Sequence, residues 1–225
     1  MTRAWRIKIV GIGAGGHAAM VLDLIEQLGG YEVVGLTDAE RTTHGTRRLG
    51  VPVLGGDEQL ELLRRAGVRC AFIGVGAVSS EGTRSRAALV DRLTGLGFCV
   101  PTLVDPHAVV SPRAAIGDGT VVMAGAVVGP QSELGCYVTV YSGSIITHDI
   151  RIGDHAHLSP GVSLGGGVTI GTGAFVGIGV SVIQGVEIGD WATVGAGSSV
   201  VDDVPNGERV TGVPARAFAK SRRAA

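Results

Sequence analysis

The sequence predicts two architectures in one chain: an α/β unit with a parallel sheet over residues 1–103, then an all-β parallel β-helix over residues 104–225. Three observations carry this. Gly11-Ile12-Gly13-Ala14-Gly15-Gly16-His17 follows an apolar run and spells G-x-G-x-x-G, the glycine-rich turn that leads a strand into a helix. From Val104 onward an aliphatic residue returns at every sixth position. Glycine numbers 38 of 225 residues, far above the usual ~7%, while aromatics make up only 4%, a bias that points to a repeat.

The α/β unit reads in order as strand, helix, strand. A strand over residues 6–10 is followed by a helix whose apolar face is Val21, Leu24, Ile25 and Leu28, spaced i, i+3, i+4, i+7. A second strand is predicted over 31–36, a turn-rich stretch over 41–56 and a helix near 57–65. A strand over 70–75 and a helix over about 83–96 follow, with a short strand at 98–100 and a linker at 101–106. With the glycine motif after its first strand, the unit is Rossmann-like.

The six-residue period runs through 17 positions, Val104 to Val200, each of them Val, Ile or Leu. Four residues after each stands a small or β-branched residue, from Ala108 and Ala114 to Ser198 and Val204. One inward aliphatic per short strand makes three hexads one triangular coil, stacked on the next at about 4.8 Å.

Composition narrows the function. A net charge of −1 supplies no basic surface for nucleic acid or an anionic membrane. The single basic cluster is Arg216, Lys220, Arg222 and Arg223, read as a solvated terminus. Cys70, Cys99 and Cys136 are odd in number and widely spaced, so neither a disulfide framework nor a thiolate metal site is expected. With no apolar run near the ~18 residues of a membrane helix and no signal segment, the expectation is a soluble, cytoplasmic protein.

The hexads, together with GAGGH near the start and Gly212-Val213-Pro214-Ala215-Arg216 near the end, resemble the hexapeptide-repeat sugar acetyltransferases. These modify sialic acid or nucleotide-linked amino sugars of the bacillosamine and perosamine type. The resemblance implies a left-handed helix, a homotrimer, acetyl-CoA as acyl donor in grooves between coils, and no metal. It also implies a nucleotide sugar held by the α/β unit.

Acyl transfer to an amine or hydroxyl needs a base and a donor for the developing oxyanion. His148 stands at the third place of its hexad, near a corner, and one coil further on is Gly166, whose bare backbone leaves room for a thioester. His148-Asp149 matches the family's catalytic histidine followed by an acidic residue, so the resemblance makes His148 the general base and Asp149 the carboxylate that raises its basicity. It further assigns His157, Gly166, Ile178 and Ala196 to acetyl-CoA. Gly15, Gly16, His17, Asp38 and Gly76 go to the nucleotide sugar, consistent with bare amides at a helix N-terminus suiting a diphosphate.

Other readings stay open on the residues alone. Asp38 follows Gly16 at about the spacing where an NAD ribose acid would stand, which allows an oxidoreductase. His148, His155 and His157 allow a zinc hydratase site, and a helix without a site is a third alternative. The expected reaction is N-acetylation of a nucleotide-linked 4-amino-deoxysugar, with O-acetylation of sialic acid or a polysaccharide sugar as the alternative. Three places depart from the family pattern: Tyr141, where Asn is common; Val75-Gly76-Ala77-Val78, in place of a polar pair after the glycine; and Thr37-Asp38-Ala39, with one acid instead of two.

Overall fold

The computed structural model describes residues 6–218. Strand β1 (Ile7–Ile12) buries Ile9 and Val10 completely and pairs in parallel with β2 (Tyr31–Thr37) on one side and β5 (Cys70–Ile73) on the other. Between β1 and β2, helix α1 (Gly16–Leu28) packs Val21, Leu24 and Ile25 onto the sheet. Leu28, expected on that face, is exposed in the last turn, where Gly29 takes the left-handed conformation and closes the helix on the Ile25 carbonyl.

The stretch expected to hold only turns forms a hairpin, β3 (Arg47–Arg48) and β4 (Val51–Gly55), and β4 joins β2 in parallel. Leu49 (φ 45) and Gly50 (φ 80) make the two-residue connection. Two successive positive φ angles are the tight hairpin geometry, and leucine at the first of them conceals it in the sequence. Helix α2 (Gln59–Arg65) falls where expected. Helix α3 (Ser80–Gly95) begins earlier than expected because Ser79 caps it through Gly82 N–H.

The sheet order is β3-β4-β2-β1-β5, and the strand expected at residues 98–100 is reduced to a single bridge on the β5 edge, with Ala71 N–H donating to the Cys99 carbonyl at 2.8 Å and Cys99 N–H to the Arg69 carbonyl at 2.9 Å. That bridge sets Cys99 beside Cys70, and the two are joined as a disulfide, with Cα atoms 4.7 Å apart. The spacing gave no reason to expect a disulfide, and this one pair arises because the chain returns beside β5 after α3. The expected linker is also no free linker, since Leu103 is buried in the α/β core.

From β6 (Leu103–Val104) to β22 (Ser199–Val200) the chain forms 17 two-residue strands, and each ends on the aliphatic residue of its hexad. Paired strands stand one full coil apart in sequence, as in Val127 with Ile145 and Ile145 with Ser163. The three faces of the left-handed prism are sheets of six, five and eight strands, parallel throughout except that the eight-stranded face ends in β23 (Arg209–Thr211) and an antiparallel β24 (Arg216–Ala217). From Val122 to Val200 every hexad aliphatic is at most 4% exposed, whereas Val104, Val110 and Ile116, with no coil beneath them, are half-buried.

The corners explain the glycine content. Three residues after each aliphatic from Ile116 to Val194, the backbone turns through the left-handed region, with φ between 55° and 72°. Nine of these 14 corners are glycine, which adopts that region without strain; the others are Gln131, Tyr137, Asp149, His155 and Trp191.

Helix α3 docks on the eight-stranded face through a buried polar seam. Thr83 donates to the Gly173 carbonyl at 2.6 Å, and Thr193 donates to Ser80 Oγ at 2.9 Å. Arg216 pairs with Asp202 at 3.1 Å, while Lys220, Arg222 and Arg223 lie outside the described residues.

Candidate active site

The glycine motif divides its labour. A Cβ on Gly11 would collide with the Phe72 ring, and one on Gly13 (φ 98) would meet Val75 at 2.8 Å, so these two glycines serve the close approach of β1 and its turn to β5 and the segment after it. Gly15 and Gly16 face open space, and the first turn of α1 has no side-chain cap and no acid. Their amides stand ready for an anion. Asp38 is engaged, accepting from Ala14 N–H at 2.6 Å and Glu40 N–H at 2.8 Å. Its carboxylate holds the glycine loop against the end of β2.

Gly15, Gly16, His17 and Gly76 therefore gather at the C-terminal edge of β1, where the sheet branches towards β2 and β5. That branch point is where open α/β sheets bind their ligands. Tyr141, from the corner after β12 (Thr139–Val140), closes the group: its Oη lies 2.6 Å from His17 Nδ1. The residue singled out as a departure from the family pattern is thus in direct contact with the predicted cradle.

Behind this edge lies a buried polar cluster. Arg86 of α3 is 7% exposed and donates from Nη2 to Thr139 Oγ1 at 2.8 Å, from Nη1 to the Val75 carbonyl, and from Nη1 towards His17 Nε2 at 3.4 Å. Burial pulls its pKa down to about 10, so the guanidinium stays charged at neutral pH. Burial, and secondarily the Arg86 charge, lowers His17 to about 3, and the ring is neutral. Burial also raises the Tyr141 phenol, with Arg86 opposing it.

His157 belongs to this cluster and not to an open groove. It is 2% exposed, stacked on Phe175 at 5.3 Å with Tyr141 on its other side at 5.1 Å, and its Nδ1 has no hydrogen-bond partner among the described residues. Burial first, then Arg86 and His17, holds its pKa well below the usual value. The sequence reading did not find Arg86, Thr139 or Phe175. Arg86 had a signal, for it sits among Thr83, Val90 and Leu93 on the buried stripe of α3.

His148 occupies another edge of the prism. It lies between β13 (Ile145–Ile146) and β14 (Arg151–Ile152), and its Nδ1 is 2.7 Å from Asp149 Oδ2. Asp149 takes a left-handed corner (φ 57) to make that contact. The imidazole lies across Gly166 as the one-coil offset requires, since a Cβ there would fall 2.5 Å from Cε1 and 2.7 Å from Nε2. The coil-to-coil ladder at this corner runs through Gly165 N–H to Val182 and Gly167 N–H to His148, and the Gly166 amide stands outside it. Both side chains are more than half exposed.

The four residues assigned to acetyl-CoA do not line one groove within the chain. Ile178 and Ala196 are stacked on the edge that carries Tyr141, with Gly197 N–H donating to the Ile178 carbonyl at 2.8 Å. Gly166 is on the His148 edge, and His157 lies inside the interface with the α/β unit. The physical reason is the period: Gly166 and Ile178 stand two hexads apart, and each hexad of a three-faced coil turns the chain onto a new face. The three histidines of the hydratase alternative also diverge, because His155 stacks on Tyr137 at a third edge.

Among the described residues, no helix is long and apolar enough to cross a membrane. Residues 8–89 match the PglD N-terminal domain family. PerB from Caulobacter crescentus, solved with CoA and GDP-perosamine, is 37% identical with a TM-score of 0.87, covering 94% of this chain and 97% of that one. The acetyltransferase domain of PglB from Neisseria gonorrhoeae FA1090 is 35% identical with a TM-score of 0.84, covering 95% and 100%; it has also been solved with acetyl coenzyme A. WeeI from Acinetobacter baumannii AYE is 26% identical with a TM-score of 0.82, covering 94% and 100%. The redox-sensing transcriptional repressor Rex of Roseiflexus sp. (strain RS-1) is 28% identical over 128 residues, 55% of this chain and 58% of that protein's length. With more than a third of its residues identical to PerB over nearly the whole of both chains, the protein belongs to the CoA-dependent sugar N-acetyltransferase family.

Proposed function

We propose that the chain transfers the acetyl group of acetyl-CoA to the amino group of a nucleotide-linked 4-amino-deoxysugar, with His148 as general base. The observation that carries the assignment is the His148 ring, hydrogen-bonded to Asp149 and laid across Gly166. With the Nδ1 proton donated to Asp149, the lone pair of Nε2 is free to take a proton. The amine attacks the thioester carbonyl, a C–N bond forms, and the amine's proton passes to Nε2. Asp149 stabilises the imidazolium while the Gly166 N–H faces the oxyanion. The C–S bond then breaks, and the departing CoA sulfur takes the proton returned from His148.

In this reading residues 1–103 hold the nucleotide sugar through Gly15, Gly16, His17 and Gly76, with Asp38 bracing the loop, and residues 104–225 hold acetyl-CoA. PerB, solved with GDP-perosamine, supports a nucleotide sugar as acceptor. The two halves of the site stand on different edges of one prism, so a neighbouring copy supplies the missing edge, in a homotrimer. Val109, Val127 and Ile145 support this. They form an exposed apolar column on the six-stranded face, 65%, 36% and 45% exposed, beside the His148 corner.

The test is a panel of GDP-, UDP- and dTDP-linked amino sugars with acetyl-CoA, following thiol release. At least one is expected to turn over, and His148→Ala is expected to lower kcat at least ~10²-fold. Thiol release with sialic acid and with none of the amino sugars would replace N-acetylation by O-acetylation. A monomeric mass by light scattering at micromolar concentration would remove the trimer.

A further inference from the structure

We propose that Tyr141 is a specificity-determining hydrogen-bond donor to the acceptor sugar, and that Arg86, acting through His17, sets its polarity. The proposal rests on the nucleotide-sugar reading above and deepens it.

The direction of the chain follows from donor chemistry. A guanidinium has five N–H donors and no acceptor. Facing Arg86 Nη1 at 3.4 Å, His17 Nε2 presents a lone pair, because a proton there would set two N–H groups against each other. A neutral ring with Nε2 bare carries its proton on Nδ1, and Nδ1 is the atom 2.6 Å from Tyr141 Oη. His17 therefore donates to Tyr141, and the phenolic proton must be given elsewhere.

Tyr141 is half-buried, and its Oη stands beside exposed Gly76: a Cβ on Gly76 would stand 3.7 Å from Oη and 3.4 Å from His17 Cβ. That strip is the predicted sugar edge of the cradle. A hydroxyl that already accepts from His17 and projects its proton there recognises an oxygen lone pair on the sugar, such as a hydroxyl, a ring oxygen or the carbonyl of an acylamino group. Arg86 is a positioning residue, since it does not need to touch the sugar, and His17 adds this role to its place in the cradle. The arrangement is fixed at its far end because Arg86 is pinned by Thr139 and the Val75 carbonyl, with no carboxylate among its partners in the described residues to turn it away.

The experiment has two arms. Nitrogen NMR of the full chain with 15N-labelled histidine is expected to show His17 neutral, protonated on Nδ1 and bare at Nε2. Arg86→Lys, which still only donates, retains this tautomer; Arg86→Gln, which can accept, releases it. In steady-state kinetics, Tyr141→Phe removes one oxygen and is expected to raise KM for the nucleotide sugar by about 10-fold, leaving KM for acetyl-CoA unchanged. Arg86→Gln should raise the sugar KM likewise, and Arg86→Lys should restore it. If Arg86→Gln does not fold, the unaltered chain's spectrum and Tyr141→Phe still decide. A His17 ring protonated on Nε2, or an unchanged sugar KM in Tyr141→Phe, overturns the proposal. If the unaltered chain acetylates no nucleotide-linked amino sugar, the functional reading falls and this proposal falls with it.

Discussion

Adding a single methyl group at Gly166 tests whether the position of His148 matters to the chemistry. Gly166 is not among the left-handed corners, so alanine suits its backbone, but the new Cβ would lie 2.5 Å from His148 Cε1, 2.7 Å from Nε2 and 3.2 Å from Nδ1. Restoring ordinary contact displaces the ring by about 1 Å, and a base misplaced by that much costs on the order of 10²-fold in rate. The same movement breaks the 2.7 Å hydrogen bond to Asp149. The obstructing group is the mobile end of a more than half-exposed side chain, so the fold loses little, with Tm expected within about 3 °C of the parent. Initial rates of thiol release at saturating acetyl-CoA and sugar then give kcat, with both KM values measured alongside. A kcat within about twofold of the parent refutes the placement of His148 at the reacting atoms. If the loss lies wholly in KM for acetyl-CoA, Gly166 is a contact for the donor and the displacement argument is wrong.

Asp149 holds a left-handed corner that glycine would occupy without strain. Asp149→Gly is therefore expected to stabilise the chain by up to ~1 kcal/mol in denaturant melts while lowering kcat, and a loss of stability would contradict the strain argument. Ile146 is fully buried in the prism, so Ile146→Ala should cost about 2–5 kcal/mol by the same melts. Acid should unfold the chain early. His17 has a native pKa of about 3 against 6.5 for an unperturbed ring, so the unfolded state binds the extra proton and stability falls as pH drops from 6.5 towards 3. The slope has an upper limit of about 1.4 kcal/mol per pH unit for this ring. His157, also lowered, adds to it. A Tm flat between about pH 7 and 4.5 would show that neither ring is buried neutral.

The prism was readable because its constraint is local and repeated. Each hexad must bury one aliphatic, and its strand pairs with the strand one coil further on whichever coil is considered. The same arithmetic brought His148 to Gly166 and stacked Ile178 on Ala196, while Gly166 and Ile178, two hexads apart, are on different edges of one chain. Cradle residues were readable because a strand, a glycine turn and a helix N-terminus are contiguous in sequence. Arg86 was not, since it reaches His17 only after α3 docks on the eight-stranded face, whereas Phe175 stands one coil beyond His157 and follows from the same arithmetic once His157 is placed on that face. The β3–β4 hairpin hid behind Leu49, whose positive φ is imposed by its partner strand and not by its own preference.

Three of the five corners that are not glycine recover packing for the strain they bear. Each non-glycine residue in the left-handed region costs on the order of 1 kcal/mol or more, though Asp and His bear it more easily than Tyr or Trp. Tyr137 and His155 stack on each other, and Trp191 covers Gly173 and meets the Arg84 guanidinium at 4.0 Å, so these corners recover packing along the edge beside α3. Asp149 recovers none: its side chain is more than half exposed, and among the described residues its side-chain partner is His148. Gln131 is likewise exposed, without a side-chain hydrogen bond among the described residues, so what sets Asp149 apart is its hydrogen bond to a histidine laid over a bare glycine, the arrangement a working pair at that corner requires. That is why Asp149→Gly, which relieves the strain and removes the carboxylate together, is expected to move stability and kcat in opposite directions.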